Sequence, residues 1–167
     1  MKVNRLLLKP NKPEVVEEDI DFSSNFIDAN HVKRINSCHV KATLTDYEDV
    51  LECTLNIKAD VTASCAYTLD DVPYKVNVNE KLYFSSDEMD QDSEDIIYEP
   101  GNEILMDNYV LSYVIASVPH NVHKKGAKLP NDGKGYRVLS EEDFIKEKQT
   151  EKKPSPFDVL DGIDDED

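Results

Sequence analysis

The sequence has no tryptophan, only three cysteines, and far fewer basic than acidic residues, 19 against 35. An odd number of widely spaced cysteines does not form a disulfide framework and fits a reducing compartment. No stretch approaches the roughly 18 consecutive apolar residues that a membrane-spanning helix needs. The apolar run Leu6–Leu8 is also much shorter than the core of a signal peptide, about 7–15 residues. We therefore expect a cytoplasmic protein with no membrane contact.

The acidic residues are concentrated in three stretches and give the chain a formal net charge of -16. Nine acids and no base lie in Phe84–Asp107, six acids and no base in Phe157–Asp167, and five acids in Glu14–Asp21. Because attraction to phosphate supplies most nonspecific affinity for nucleic acid, this charge disfavours such binding. It favours a basic partner, or simply solubility.

The middle of the chain alternates between apolar and polar residues. The clearest example is Leu51–Val61, where every second residue is apolar. Successive side chains of a strand point to opposite faces, so this segment predicts a half-buried strand of an antiparallel sheet. Val32–Leu44 and Tyr74–Val78, extended by Leu82–Phe84, have a similar character. We predict an antiparallel meander of four or five strands, with a barrel-like closure as one possibility, between about residues 32 and 85.

Two helices are predicted after the sheet, which makes the fold α+β. Residues 103–118 are apolar almost all round, and this length favours a buried helix that stops before Pro119. Ser140 followed by three acids is typical of a helix start and predicts a second helix over 141–152. We expect three regions: an N-terminal strand and polar connection (1–31), one α+β domain with an acidic loop at 85–102 (32–152), and a disordered acidic tail (153–167).

The motifs of enzymes and of cofactor sites are missing. Cys38, Cys53 and Cys65 form no close pair of the kind that structural zinc sites use. The sequence around Gly133-Lys134-Gly135 departs from the phosphate-binding loop at two of its required positions. No serine or cysteine has the setting of a catalytic nucleophile. We expect no metal, no cofactor, no small-molecule substrate and no enzymatic activity.

One segment, His120–Arg137, is basic in this acidic chain, with a local net charge of +4 when its histidines are counted as neutral. It follows directly after the predicted buried helix, so it is the natural candidate for a contact surface. The residues that could contact RNA or a partner are His123, Lys124, Lys125, Lys128, Lys134, Tyr136 and Arg137.

The chain resembles the YceD family of large ribosomal RNA subunit accumulation proteins, in the form found in Gram-positive bacteria. Cys65 stands like the second cysteine of the family's C-x-R-C-L motif, and Tyr113–Pro119 is similar to its "E-x-I-x-L-x-L-P" helix ending. The lysine- and glycine-bearing loop Lys124–Tyr136 follows, and Pro156–Leu160 is similar to the P-F-x-x-L form of the family's tail motif. The resemblance covers about residues 35–162.

This resemblance has clear departures. Thr62 occupies the position where family members often have the first cysteine, and no cysteine follows Val118. Metal binding inferred from those cysteine pairs should therefore not transfer to this chain. The same holds for any role of the arginine in the alternative tail motif D-P-R-x-x-x-L, because Ser155-Pro156-Phe157 stands there instead.

The resemblance implies a non-enzymatic role in large-subunit biogenesis that supports accumulation or processing of 23S ribosomal RNA. Combined with the net charge, it suggests contact with a basic ribosomal protein or assembly factor on the large-subunit precursor. One alternative is direct binding of 23S rRNA through residues 120–137, with Tyr136 stacking on a base. Another alternative is an acidic protein that binds cations.

Overall fold

The computed structural model describes residues 1–23 and 31–150, and its contacts divide the chain into two compact units. The first unit is Met1–Ala127 and the second begins at Lys128. The elements, in chain order, are β1 Lys2–Asn4, β2 Glu14–Asp19, β3 Val32–Asp46, β4 Val50–Ser64, β5 Asp71–Ser85, β6 Ile97–Tyr98, β7 Glu103–Leu105, α1 Met106–Ala116 and α2 Glu141–Thr150.

The α+β prediction is confirmed, and the main sheet has five strands in the order β2-β3-β4-β5-β6. The first four strands pair antiparallel, while β6 adds to β5 in parallel. The sheet is open and is not closed into a barrel. Residues 32–85 form only three of its strands, each 15 residues long. The other two strands come from segments predicted as connections.

The first of these segments corrects the prediction of a polar connection after the N-terminal strand within residues 1–31. Glu14–Asp19 forms β2, which pairs with the outer side of β3. Val16 and Ile20 pack against the core, although Glu18 lies between them. An edge strand tolerates such acids because much of its surface stays in water.

The alternation in β4 is confirmed. Leu51, Leu55 and Ile57 are completely buried, whereas Asn56 and Lys58 on the opposite face are exposed. The register continues the apolar face across the sheet, since Ile57 lies between Val40 of β3 and Val78 of β5. Burial of one face of three long strands is the main source of hydrophobic stabilisation in this unit.

The predicted buried helix is present but starts later than predicted. Residues Glu103–Leu105 form β7, which pairs with β1, and the helix α1 begins at Met106. Its residues Met106, Val110 and Val114 are completely buried. Asp107 lies in the first turn, where it suits the positive end of the helix dipole. Within the described residues, no helix is long and apolar enough to cross a membrane.

The second unit contains α2, which confirms the predicted helix over its described residues. Ser140 acts as the N-terminal cap: its hydroxyl accepts a hydrogen bond from the backbone N–H of Asp143 at 3.1 Å. The predicted disordered tail at 153–167 lies outside the described residues, and the division into three regions remains a prediction.

Candidate interaction site

The first half of the predicted basic segment packs against the loop between β4 and β5. Val122 is buried, and its carbonyl accepts a hydrogen bond from the N–H of Ala66 at 2.8 Å. Two residues later, the N–H of Lys124 donates to the Cys65 thiol at 3.3 Å. These contacts fix the path of the chain after α1 and determine which of its side chains remain available.

Two of the predicted contact residues are already engaged with that loop. The Lys124 ammonium lies 3.0 Å from a carboxylate oxygen of Asp70 and, through this hydrogen bond first, lowers the pKa of that carboxyl. The His123 ring stacks on Tyr67 with ring centroids 4.0 Å apart. Lys125 is exposed and forms no ion pair within the described part of the chain. This half of the segment therefore presents less free positive charge than its sequence indicates.

Cys65 is buried and lies at the base of the same loop. The N–H of Lys124, followed by hydrogen bonding from Thr68, lowers the pKa of its thiol to about 7. By contrast, burial raises the pKa of Cys38 to about 11 and that of Cys53 to about 12. Hydrogen-bond donors that point at the sulfur stabilise its charged form. The hydrogen bond from the N–H of Lys124 also ties the basic segment to this loop.

Thr62, which stands where family members often have the first cysteine of the motif, is hydrogen-bonded to Asn36. Thr62 is nearly buried, and its hydroxyl oxygen accepts a hydrogen bond from the Asn36 side-chain amide at 3.0 Å. Within residues 1–23 and 31–150, no three metal-binding side chains come together. Cys65 therefore stands without the partner cysteine that a paired motif would supply.

The second half of the predicted segment belongs to the second unit. Residues Gly133 and Tyr136 form a tight turn in which each N–H donates to the other's carbonyl, at 3.2 and 3.4 Å. Gly135 has a φ of +88°, which favours glycine. Tyr136 contacts Gly133 with its ring and is 63% exposed.

One basic side chain of this second half forms an ion pair within the second unit. Arg137 donates to the Glu147 carboxylate at 2.7 Å, and this contact raises the pKa of the guanidinium. Lys128 and Lys134 are exposed and form no ion pair within the part of the chain that the structure describes. The seven predicted contact residues thus divide between two units, with three in the first and four in the second. Their role as a contact site remains a prediction.

A second surface, which sequence analysis missed, is the outward side of the sheet near β2. His39 on β3 lies between two carboxylates of β2: its Nδ1 is 2.8 Å from Asp19 and its Nε2 is 3.1 Å from Glu17. The contact with Asp19, followed by that with Glu17, raises the pKa of His39. The signal in the sequence was the pair Val15-Val16 within the acidic stretch, which is typical of a strand.

The fold and these surfaces define a small α+β protein with charged side chains exposed on a sheet and on loops. Residues 53–163, more than half of the chain, match the family described as "Large ribosomal RNA subunit accumulation protein YceD". The chain belongs to this family, which confirms the resemblance drawn from its motifs. It is also similar to "Uncharacterized protein YlbN" of Bacillus subtilis (strain 168), with 25% identity over 143 residues, 81% of this chain and 80% of that protein. No solved structure matches this chain.

Proposed function

We propose that this protein acts without catalysis in biogenesis of the large ribosomal subunit, in the cytoplasm, and supports accumulation or processing of 23S rRNA. The observation that carries this proposal is the match of residues 53–163 to the YceD family, whose description names accumulation of the large ribosomal RNA subunit.

The direct partner in this proposal is a basic ribosomal protein or assembly factor. The net charge of -16 repels phosphate and attracts basic surfaces. The basic segment does not reverse this balance, because Lys124 and Arg137 are each paired with a carboxylate. Electrostatic complementarity of this kind speeds encounter and selects partners.

A strain that lacks the gene tests the proposed role. We expect fewer large subunits relative to small ones and more precursor 23S rRNA, measured by gradient sedimentation and by mapping of rRNA ends. A plasmid copy of the gene should restore both. Normal subunit ratios and normal rRNA ends in the deletion strain would refute the proposed role.

Direct RNA binding through residues 120–137 is the second candidate. It is favoured by Lys125, Lys128 and Lys134, which are exposed and form no ion pair with any described residue. Replacing these three lysines by glutamate should abolish binding of purified 23S rRNA fragments if this candidate is correct. The matched control replaces three exposed lysines on strands, Lys2, Lys58 and Lys75, which likewise form no ion pair with any described residue. Under the protein-partner proposal, the unmodified protein has little affinity for these fragments.

A further inference from the structure

The outer edge of β2 is an open strand edge. Ile20 N–H donates to the Cys38 carbonyl of β3 at 2.8 Å. Backbone hydrogen bonds alternate along an antiparallel pair, so the N–H and C=O groups of Val15, Glu17 and Asp19 point away from β3. Within residues 1–23 and 31–150, these N–H groups have no hydrogen-bond acceptor. Unpaired backbone groups in a row are a template for an added strand.

The side chains of β2 differ between its two faces. On the outward face of the sheet, Glu17 and Asp19 keep 52% and 86% of their side-chain surface exposed. On the other face, Val16 and Ile20 are only partly covered by the core. Glu18 lies between them on this face, half exposed and 3.8 Å from the N-terminal ammonium. A strand added beside β2 would therefore meet the carboxylates of Glu17 and Asp19 on one face, and aliphatic surface interrupted by Glu18 on the other.

We propose that the outer edge of β2 binds an extended basic segment of a partner protein as an additional strand. This proposal rests on the proposed function, since it identifies the surface that receives the basic partner. The segment has basic residues at alternate positions, opposite Glu17 and Asp19, and apolar residues between them, beside Val16 and Ile20. Main-chain hydrogen bonds hold such a strand, and the alternating side chains select it.

The carboxylates of Glu17 and Asp19 can still accept a cation, although His39 already contacts both of them. His39 lies close to one oxygen of Asp19 and one oxygen of Glu17, and the Lys41 ammonium is 4.0 Å from the second oxygen of Glu17. A carboxylate offers about four acceptor positions, so these contacts do not saturate either group. Glu14 and Glu18 add two further negative charges to the strand.

The same features disfavour two other occupants. A second copy paired antiparallel through this edge would bring acidic strands side by side, and like charges opposite one another destabilise a sheet. An RNA strand would place phosphates beside Glu17 and Asp19, which repel them. A basic segment is the occupant that complements both the backbone edge and its charge.

The first test uses a synthetic peptide with the sequence Lys-Val-Lys-Val-Lys-Val and the full-length protein. We expect binding that shifts the amide NMR signals of β2 and slows hydrogen exchange of the Glu17 and Asp19 amides. A peptide of the same composition with the order Lys-Lys-Lys-Val-Val-Val is the control and should bind at least about tenfold more weakly, because it lacks the alternation. Equal binding of the two peptides would overturn the proposal.

The second test separates strand addition from simple charge attraction. Glu17→Gln removes the carboxylate but keeps the outward N–H, whereas Glu17→Pro removes both. Proline is tolerated at an edge position whose N–H points outward, so the β2–β3 pairing should survive. We expect Glu17→Pro to weaken binding about two- to tenfold beyond Glu17→Gln, because one more main-chain hydrogen bond is lost. Equal affinities of the two variants would overturn the proposal.

Two controls make these results decisive. Asp92→Asn with Glu94→Gln removes two acids from the 85–102 loop and should leave peptide binding nearly unchanged; a loss as large as that of Glu17→Pro would overturn the proposal. If Glu17→Pro fails to fold, as judged by circular dichroism, the alternating peptide with every main-chain N–H methylated replaces it. Methylation removes main-chain donors from the peptide and should abolish binding, while retained affinity would overturn the proposal.

Complementation distinguishes failure of this inference from failure of the proposed function. A folded Glu17→Pro variant should fail to restore large subunits in the deletion strain, whereas the Asp92→Asn, Glu94→Gln variant should restore them. If Glu17→Pro restores them fully, the edge inference is wrong and the role in biogenesis stands. If the deletion strain has no subunit defect, the proposed function is wrong, and the peptide results still decide whether the edge binds a basic strand.

Discussion

His39 lies between Asp19 and Glu17 on the exposed face of the sheet, and both of its ring nitrogens are within hydrogen-bonding distance of a carboxylate. Only the imidazolium can donate from both nitrogens, so these contacts favour the protonated form. This explains why the pKa of His39 is raised, mainly by Asp19. The residue thereby ties β2 to β3 through side chains as well as through the backbone.

This geometry predicts a pH dependence of stability. Because the folded state raises the pKa of His39, its contribution is fully present below the unfolded pKa of about 6.5. The contribution is lost as the pH rises through the higher folded pKa. We expect the free energy of unfolding of the unmodified protein to fall across this range relative to that of His39→Gln, measured by urea denaturation at several pH values.

Asp19→Asn provides the control for the His39 prediction. It removes the largest cause of the shift, so the pKa of His39, followed by NMR, should move back towards its ordinary value. A pKa unchanged in Asp19→Asn, or identical pH profiles of the unmodified protein and His39→Gln, would contradict the prediction.

At the scale of elements, β4 is the central strand of the five-stranded sheet, and burial of its apolar face stabilises the fold. Leu55 has no exposed surface and lies between Ala42 of β3 and Glu80 of β5 in the register. We expect Leu55→Ala to lower the free energy of unfolding by about 2–5 kcal/mol, because it removes buried methyl groups and leaves a cavity. Chemical denaturation measures this value.

The neighbouring residue supplies the matched control for β4. Asn56 is exposed on the opposite face, and Asn56→Ala should change stability by no more than about 0.5 kcal/mol. A loss in Leu55→Ala no larger than that in Asn56→Ala would contradict the buried position of Leu55 and would fit a register of β4 slipped by one residue, since such a slip exchanges the two faces.

The comparison of β4 with β2 shows what an element's sequence can predict. The strict alternation of Leu51–Val61 predicts its strand and its buried face. In β2, acids occupy positions on both faces, so no period is visible, and the strand forms because β3 offers it an edge to pair with. Glu103–Leu105 was likewise predicted as helix because pairing with β1 depends on residues about a hundred positions away.

At the scale of the whole molecule, the net charge of -16 governs how partners approach. We expect binding to a basic ribosomal protein to weaken steeply with salt, mainly through slower association, because ions screen the attraction at distances beyond about 8 Å near physiological ionic strength. Surface plasmon resonance at several salt concentrations with a purified basic ribosomal protein measures both rates. Affinity independent of salt would contradict an electrostatic partner interaction.

The candidate contact site shows the limit of charge counting. Sequence analysis identifies the basic residues of His120–Arg137, but a count of charges cannot show which of them are free. Lys124 pairs with Asp70 and Arg137 with Glu147, and only the first of these partners comes from a distant part of the chain. The family resemblance, by contrast, was visible in short motifs because these follow one another along the chain.

The sequence by itself determined the α+β class, the buried face of the long central strand, the second helix and the family, because each depends on local periodicity or on short motifs. The tertiary structure decided that β2 exists, that Lys124 and His123 are held by the loop at residues 65–70, and that an acidic strand edge is open within the described residues. These features require residues far apart in the chain to meet, and pairing across such distances is decided by packing and register rather than by local pattern.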